Sequence, residues 1–391
     1  MNKKIINIAR VLSLLALSVF VGCNGEEPQP EEPINEHTVI VYMIANNNLS
    51  SYAVQNINMM ESAYDPTSGN KVLLFYNSSS GNCSIMELVH DQTSTIVSET
   101  LYTYPSNTDP TDPATLQDAI ERCRELSDAE QYSLVLWSHA TGWLPDGMSP
   151  ATAPALDPEK TFGSCYAFPG EMEIYDLADA LPTDLTFEYI YFDACYMGSV
   201  EAAFELRNNA KYYVSSVAEV LANGYPYDSG FQALIDGDAL GVAQNFFNYY
   251  NSQSGVNQSA TISVVELEKL DAVAEQFAKL PSGVTPTAQQ QFGRYLGSSY
   301  NFKDLLWDMG DMLERTWGDD ATSVLSAMDD AIVYKAATPI LFEGDYYGEI
   351  TVDTFCGLSI YIPKLSQPNT LEIYTNNYSW AKESKFYEFA Y

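Results

Sequence analysis

Continuous apolar runs of strand length set the strongest limit on how this 391-residue chain can fold. Thr38 to Ala45 (TVIVYMIA), Val72 to Tyr76 (VLLFY), Tyr132 to Trp137 (YSLVLW) and Phe187 to Phe192 (FEYIYF) are apolar on both sides of the pleat, or nearly so. Strands of that kind must be covered on both faces. Tyr212 to Val217 reads as a fifth. Between the runs, Leu49 to Tyr64, Pro113 to Leu126, Ile174 to Leu181 and Ser199 to Arg207 carry apolar residues at helical spacing. The alternation predicts an α/β fold: a mainly parallel sheet with helices on both faces. Ser84 to Val89 and Thr95 to Tyr102 read as a hairpin excursion, and Trp143 to Gly163 as a long loop. From about Gln258 the pattern mixes strands (Thr261 to Leu267, Cys356 to Ile362) with helices. That predicts a C-terminal α+β lobe over 258–391 beside a core over 37–257.

The first residues speak of export. Lys3 and Lys4 precede an apolar run from Val11 to Val21, too short to span a bilayer as a mature helix, which ends at Gly22-Cys23. A small residue before the cysteine resembles the lipobox of bacterial lipoproteins, although Phe20 departs from the usual aliphatic residue. Residues 1–22 are then the signal peptide and Cys23 the lipidated first residue of the mature chain. Residues 23–36 are rich in proline and glutamate, with Ile34 the only large apolar side chain, and form an acidic tether that cannot bury enough surface to fold. The expected location is the outer membrane or cell surface, with the membrane reached only through a lipid anchor.

A net charge of −34, lowered by a further three when Lys3, Lys4 and Arg10 leave with the signal, argues against nucleic acid as a partner. It favours solubility and draws in cations. Beyond Cys23 and Cys195, the cysteines Cys83, Cys123, Cys165 and Cys356 show no metal-type spacing. Cys123 lies on the apolar stripe Leu116, Ile120, Cys123 of a helix capped by Asp112 with Pro113 at its first position, so it reads as core. One or two disulfides are compatible with an exported protein.

Three histidines allow each to be weighed. His37, between tether and first strand, reads as a surface residue, and His90 as solvated. His139 stands two residues beyond a buried strand, in WSHATGW. Cys195 takes the same place one unit later, in FDACYMG, with a helix to follow. In such sheets ligands bind beyond the carboxyl ends of strands. A cysteine at that place meets backbone N–H groups and the positive end of a helix dipole, both favouring thiolate. If the two strands are neighbours, thiol and imidazole face each other as nucleophile and base. The plain alternative is a capping histidine and a small core cysteine. The 56-residue interval narrows it, since caspase-type enzymes place their histidine about 50 residues upstream of the nucleophile.

The segments TVIVYMIANNNL, LVLWSHATGW, YIYFDACYMGSVEAAFEL and CGLSIYIP resemble, in order, the landmarks of the clostripain family of cysteine peptidases. The resemblance implies a caspase–hemoglobinase fold, a Cys195–His139 dyad and cleavage after Arg or Lys in protein or peptide substrates. It gives Asp193 the role of a carboxylate in the specificity pocket, against a plain structural role satisfying loop N–H groups. It makes Ala140 and Cys195 the backbone oxyanion donors, and Lys160, the one basic residue between the dyad members, the site of self-cleavage.

Two features depart from the family. Its usual glycine after the histidine is Ala140, which would lower activity if that residue must take a positive φ. The acidic residues common after the first strand are Asn46, Asn47 and Asn48, so no cofactor is expected to be required; calcium stays open without a supporting motif. These departures and 28 tyrosines keep a second reading alive: a catalytically weak or inactive surface-binding lipoprotein on a clostripain-like scaffold. A different preference at the cleaved bond would follow if Asp193 points away from the pocket.

Overall fold

The structure, a computed structural model, describes residues 35–144, 162–168, 170–287, 290–295, 305–342 and 349–391. Cys23, the signal peptide, the tether up to residue 34 and Lys160 lie outside the described residues.

The apolar runs become the middle of one nine-stranded sheet. Its strands are β1 (His37–Ile44), β2 (Lys71–Asn77), β3 (Cys83–Glu87), β4 (Glu99–Thr103), β5 (Gln131–Trp137), β6 (Phe187–Asp193), β7 (Ala210–Ser215), β8 (Thr261–Glu266) and, after the two-residue β9 (Trp307–Asp308), β10 (Ile332–Ala337). The order is β10-β8-β7-β6-β5-β1-β2-β3-β4. The five central strands β7, β6, β5, β1 and β2 are parallel, and two antiparallel strands extend each side. The hairpin expected from Ser84 onward is the β3–β4 pair.

Period-two alternation sorts each central strand between two cores. Val39, Val41 and Met43 of β1 join Val135 and Tyr191 on one face, covered by α1 (Ser50–Ala63) through Ala53, Ile57 and Met60. Ile40, Tyr42 and Ile44 join Leu134 and Phe192 on the other. There α2 (Pro113–Ser127) presents Leu116, Ile120 and the buried Cys123. Its start is as the sequence predicts: the Asp112 carboxylate accepts from Ala114 N at 2.9 Å, ahead of Pro113. Two shorter helices, α3 (Ile174–Ala180) and α4 (Val200–Glu205), share that face.

Three expectations change. The segment after 258, expected as a second lobe, supplies β8 and β10 to the same sheet, and Ile34–Tyr391 form one compact unit. Cys356 to Ile362, expected as a strand, is paired only at Ser359–Ile360. Beside that pair, the apolar side chains Leu358, Tyr361 and Ile362 are buried without a ladder. His37, expected at the surface, is 3% exposed, because Ile235 O and Ser133 Oγ take its two ring nitrogens at 2.6 and 2.9 Å. His90 is exposed, as expected. No described helix is long and apolar enough to cross a membrane.

Candidate active site

Strand register brings the two candidate residues side by side. β5 and β6 are adjacent and parallel, with Trp137 opposite Asp193. His139 and Cys195 each follow two residues later, at the carboxyl edge of the sheet. Both line one cleft of about 110 Å³, together with Leu49, Asp193, Glu219 and Val220. Both are half-buried.

The backbone around them is tightly fitted. Tyr196, next to the cysteine, has φ 60° and donates its N–H to Ala218 O at 3.0 Å. Gly142 has φ 81°, and a Cβ there would sit 2.6 Å from Tyr196 O. Only glycine lets the histidine loop approach the cysteine loop so closely. Ala140, by contrast, lies outside the left-handed region. It is 5% exposed and bridges antiparallel to Phe162, with Gly163 N donating to His139 O at 3.1 Å. The positive φ in this loop falls on Gly142, so alanine at 140 carries no backbone strain.

The Cys195 sulfur receives the Val220 N–H at 3.3 Å, a contact that supports negative charge on sulfur. Val220 belongs to the loop after β7. α4 starts only at Val200, where the Ser199 hydroxyl caps it by accepting from Ala202 N at 3.2 Å. The His139 ring is held from the β1 side, with Nε2 2.5 Å from Asn48 Oδ1.

Asp193 is 4% exposed. Its Oδ2 accepts from Tyr225 N at 3.0 Å and Tyr227 OH at 2.9 Å, and its Oδ1 from Tyr191 OH at 3.5 Å. Gly224 lies against it, where a Cβ would come within 2.7 Å of Oδ2. Burial pushes its carboxyl up to about 6, and the three donors only partly offset that. Asp193 thus satisfies a loop N–H and also lines the cleft. Glu219 is a second carboxylate in the lining, in the loop after β7, and no sequence motif marks it. Its one local signal is its place beyond the end of a strand adjacent to β6. Among the described lining residues none is Lys or Arg.

The asparagine run is fully engaged. Asn46 Nδ2 donates to Ser79 O at 2.7 Å, and Asn47 Nδ2 to Ile44 O and Ser164 O at 3.1 and 2.8 Å. Among the described residues no cluster of His, Cys, Asp and Glu is arranged to hold a metal ion. The five described cysteines are unbridged. Burial pushes the Cys83 thiol up to about 11, and those of Cys123 and Cys356 further up, so they are inert as nucleophiles.

Known proteins share the fold. The sequence model of the clostripain family, peptidase family C11, matches residues 41–389. The solved structure of an inactive zymogen C11 protease from Parabacteroides distasonis is 29% identical, with TM-score 0.76 over 90% of this chain and 98% of that one. A secreted C11 cysteine protease from Bacteroides thetaiotaomicron, at 24% identity, shares the fold with TM-score 0.76 over 90% of this chain and 99% of its own. A B. fragilis cysteine protease is 27% identical over 58% of this chain and 98% of that one, with TM-score 0.52. No curated protein matches the chain.

Proposed function

The chain belongs to the clostripain family of cysteine proteases, and on that premise we propose that it cuts peptide bonds after Arg or Lys with Cys195 as nucleophile and His139 as acid–base partner. One observation carries the reading. The two residues leave adjacent, in-register strands into a single cleft whose charged lining is Asp193 and Glu219. A carboxylate-lined cleft of that size suits the end of a basic side chain, which Asp193 would hold bidentately if Arg and as a point charge if Lys.

In this mechanism the Cys195 thiolate attacks the carbonyl carbon of the bond after the basic residue, forming a sulfur–carbon bond. Backbone N–H groups near Ala140 and Cys195 steady the oxyanion. Protonated His139 gives its proton to the departing amine as the carbon–nitrogen bond breaks. Water, deprotonated by His139, then releases the acid from the thioester and restores the thiol.

The decisive experiment is labelling with an irreversible, cysteine-directed arginyl peptide inhibitor. Modification of Cys195 is expected, with little from the leucyl counterpart. Cys195→Ala should abolish hydrolysis of Arg- and Lys-ended fluorogenic peptides. Retained hydrolysis would exclude the dyad, and equal labelling by both inhibitors would exclude the basic preference.

The solved relative described as an inactive zymogen supports a latent precursor, opened in this chain by cleavage after Lys160. The relative described as secreted supports export, with Cys23 lipidated and residues 24–36 as the tether. A fatty-acid analogue supplied to cells should label the wild type and spare Cys23→Ala; label retained by that variant would refute the anchor. Asn46 and Asn47 have their side chains committed to backbone partners, so the chemistry proposed here uses no metal. Hydrolysis should continue at full rate in EDTA, and a loss restored by calcium would overturn that.

A further inference from the structure

His139 stands between two loops. In the sheet, β5 lies between β6 and β1. Cys195 follows β6, and Asn48 follows β1. Asn48 Oδ1 is 2.5 Å from His139 Nε2, and an amide oxygen can only accept, so Nε2 carries a proton. In the neutral ring Nδ1 is then the acceptor.

The loop that carries Asn48 is pinned by the two residues before it. Asn46 Oδ1 accepts from Ala167 N at 3.0 Å, and Asn47 Oδ1 accepts from Leu49 N at 2.8 Å, in addition to the amide contacts given above. Asn48 itself is exposed, and so is its bond to the imidazole. A half-buried imidazole is not locked by packing alone. Its rotation about the ring axis, and the choice of which nitrogen bears the proton, need a partner outside the dyad.

We propose that Asn48 is a positioning residue that fixes the rotation and tautomer of His139, so that Nδ1 addresses the Cys195 thiol. The inference rests on the dyad proposed above. When the thiol proton moves to Nδ1, Nε2–H keeps donating to Asn48, now from a cation. That bond strengthens on charging and so favours the thiolate–imidazolium pair.

Three variants test it by kcat, KM and pH profile on an Arg-ended peptide: Asn48→Leu, Asn48→Asp and, as a control on the dyad, Cys195→Ala. Leucine removes the acceptor at similar size. Acid–base catalysis contributes roughly 10²–10⁴ in rate, and misorientation should forfeit about ten- to a hundredfold of kcat. KM should change less than about twofold, because the cleft carboxylates are untouched. Aspartate restores an acceptor and adds charge beside Nε2, which raises the His139 pKa. It should recover most of kcat and carry the alkaline limb of the rate profile to higher pH. Among the described residues, the other titratable groups lining the cleft with His139 are Cys195, Asp193 and Glu219, the same in all Asn48 forms.

Wild-type kcat and pH profile in Asn48→Leu, beside an inactive Cys195→Ala, would overturn this inference alone. An active Cys195→Ala would overturn the dyad and the inference with it. Should Asn48→Leu fail to fold, the Asn48→Asp alkaline limb decides, and a limb that does not move refutes the role.

Discussion

Glu201 offers a measurement of how the loop carrying Cys195 is held. It is the second residue of α4, 0% exposed, and its Oε1 accepts from Tyr361 N at 2.9 Å. Tyr361 in turn packs on Trp143, ring centroids 4.6 Å apart, in the loop that follows His139. Burial pushes the Glu201 carboxyl up from 4.5 to about 8, against the smaller opposing effect of its hydrogen bonds. Between those two values the folded chain holds a proton that the unfolded chain has released. The stability contribution is therefore complete below about pH 4.5 and is lost as pH rises toward 8. One proton changes stability by about 1.4 kcal/mol per pH unit, so the window has a ceiling of about 5 kcal/mol. Glu201→Gln keeps a carbonyl acceptor for Tyr361 N–H and does not titrate. Urea unfolding followed by tryptophan fluorescence, in a Cys195→Ala background to prevent self-digestion, should give similar stabilities for both proteins at pH 5. By pH 8.5 the glutamine form should be the more stable by at least about 2 kcal/mol. Asp193 and Glu205, whose carboxyls burial also raises, are present in both and cancel in the difference. Parallel stability curves from pH 5 to 8.5 would refute the reasoning.

The cleft gives further outcomes. Asp193→Asn should lower kcat/KM for an Arg peptide by about ten- to a hundredfold, as expected for losing a charged hydrogen-bond partner, and leave a Leu peptide little changed. The wild-type KM for the Arg peptide should rise as pH falls through about 6, where Asp193 protonates, and the variant's should not. An unchanged Arg-to-Leu ratio would move the specificity to Glu219. Gly142→Ala forces a Cβ against Tyr196 O, 2.6 Å away, at a φ of 81°. Strain of about 1–3 kcal/mol should part the loops that carry His139 and Cys195, so kcat is expected to fall by more than about tenfold in a protein that still unfolds cooperatively. Wild-type kcat there would show that the loop contact does not hold the dyad. Lys160→Ala should stay uncut in an otherwise active preparation, and mass spectrometry of the wild type should find a new N-terminus at Thr161. Full wild-type activity without that terminus would count against self-processing.

What the sequence makes legible is what short range determines. β1 reads as a doubly covered strand because Val39 to Ile44 alternate between two apolar cores, leaving no polar face to mislead. The positions of His139 and Cys195 read from local pattern too, since each lies two residues beyond a strand end. Their juxtaposition needs only that β5 and β6 be neighbours. Failures occur where the partner is distant in the chain. His37 reads as a surface residue beside a polar tether, yet its burial depends on Ser133 and Ile235, 96 and 198 residues away. Cys356 to Ile362 has the composition of a strand. Most of it packs without a ladder, and Ser359 N reaches Gly198 O at 2.9 Å from across the fold. Apolar composition encodes burial, and burial without pairing looks the same in one dimension. Glu219 and Asn48 share a subtler cause. Each lies at a strand end like the dyad, but its chemistry is fixed by which strand stands next to its own. From the sequence, Asn48 reads only as the last of an asparagine run with no ion-site motif. Beside His139, the same amide is a neutral acceptor that can orient an imidazole without fixing its charge, which a carboxylate would do.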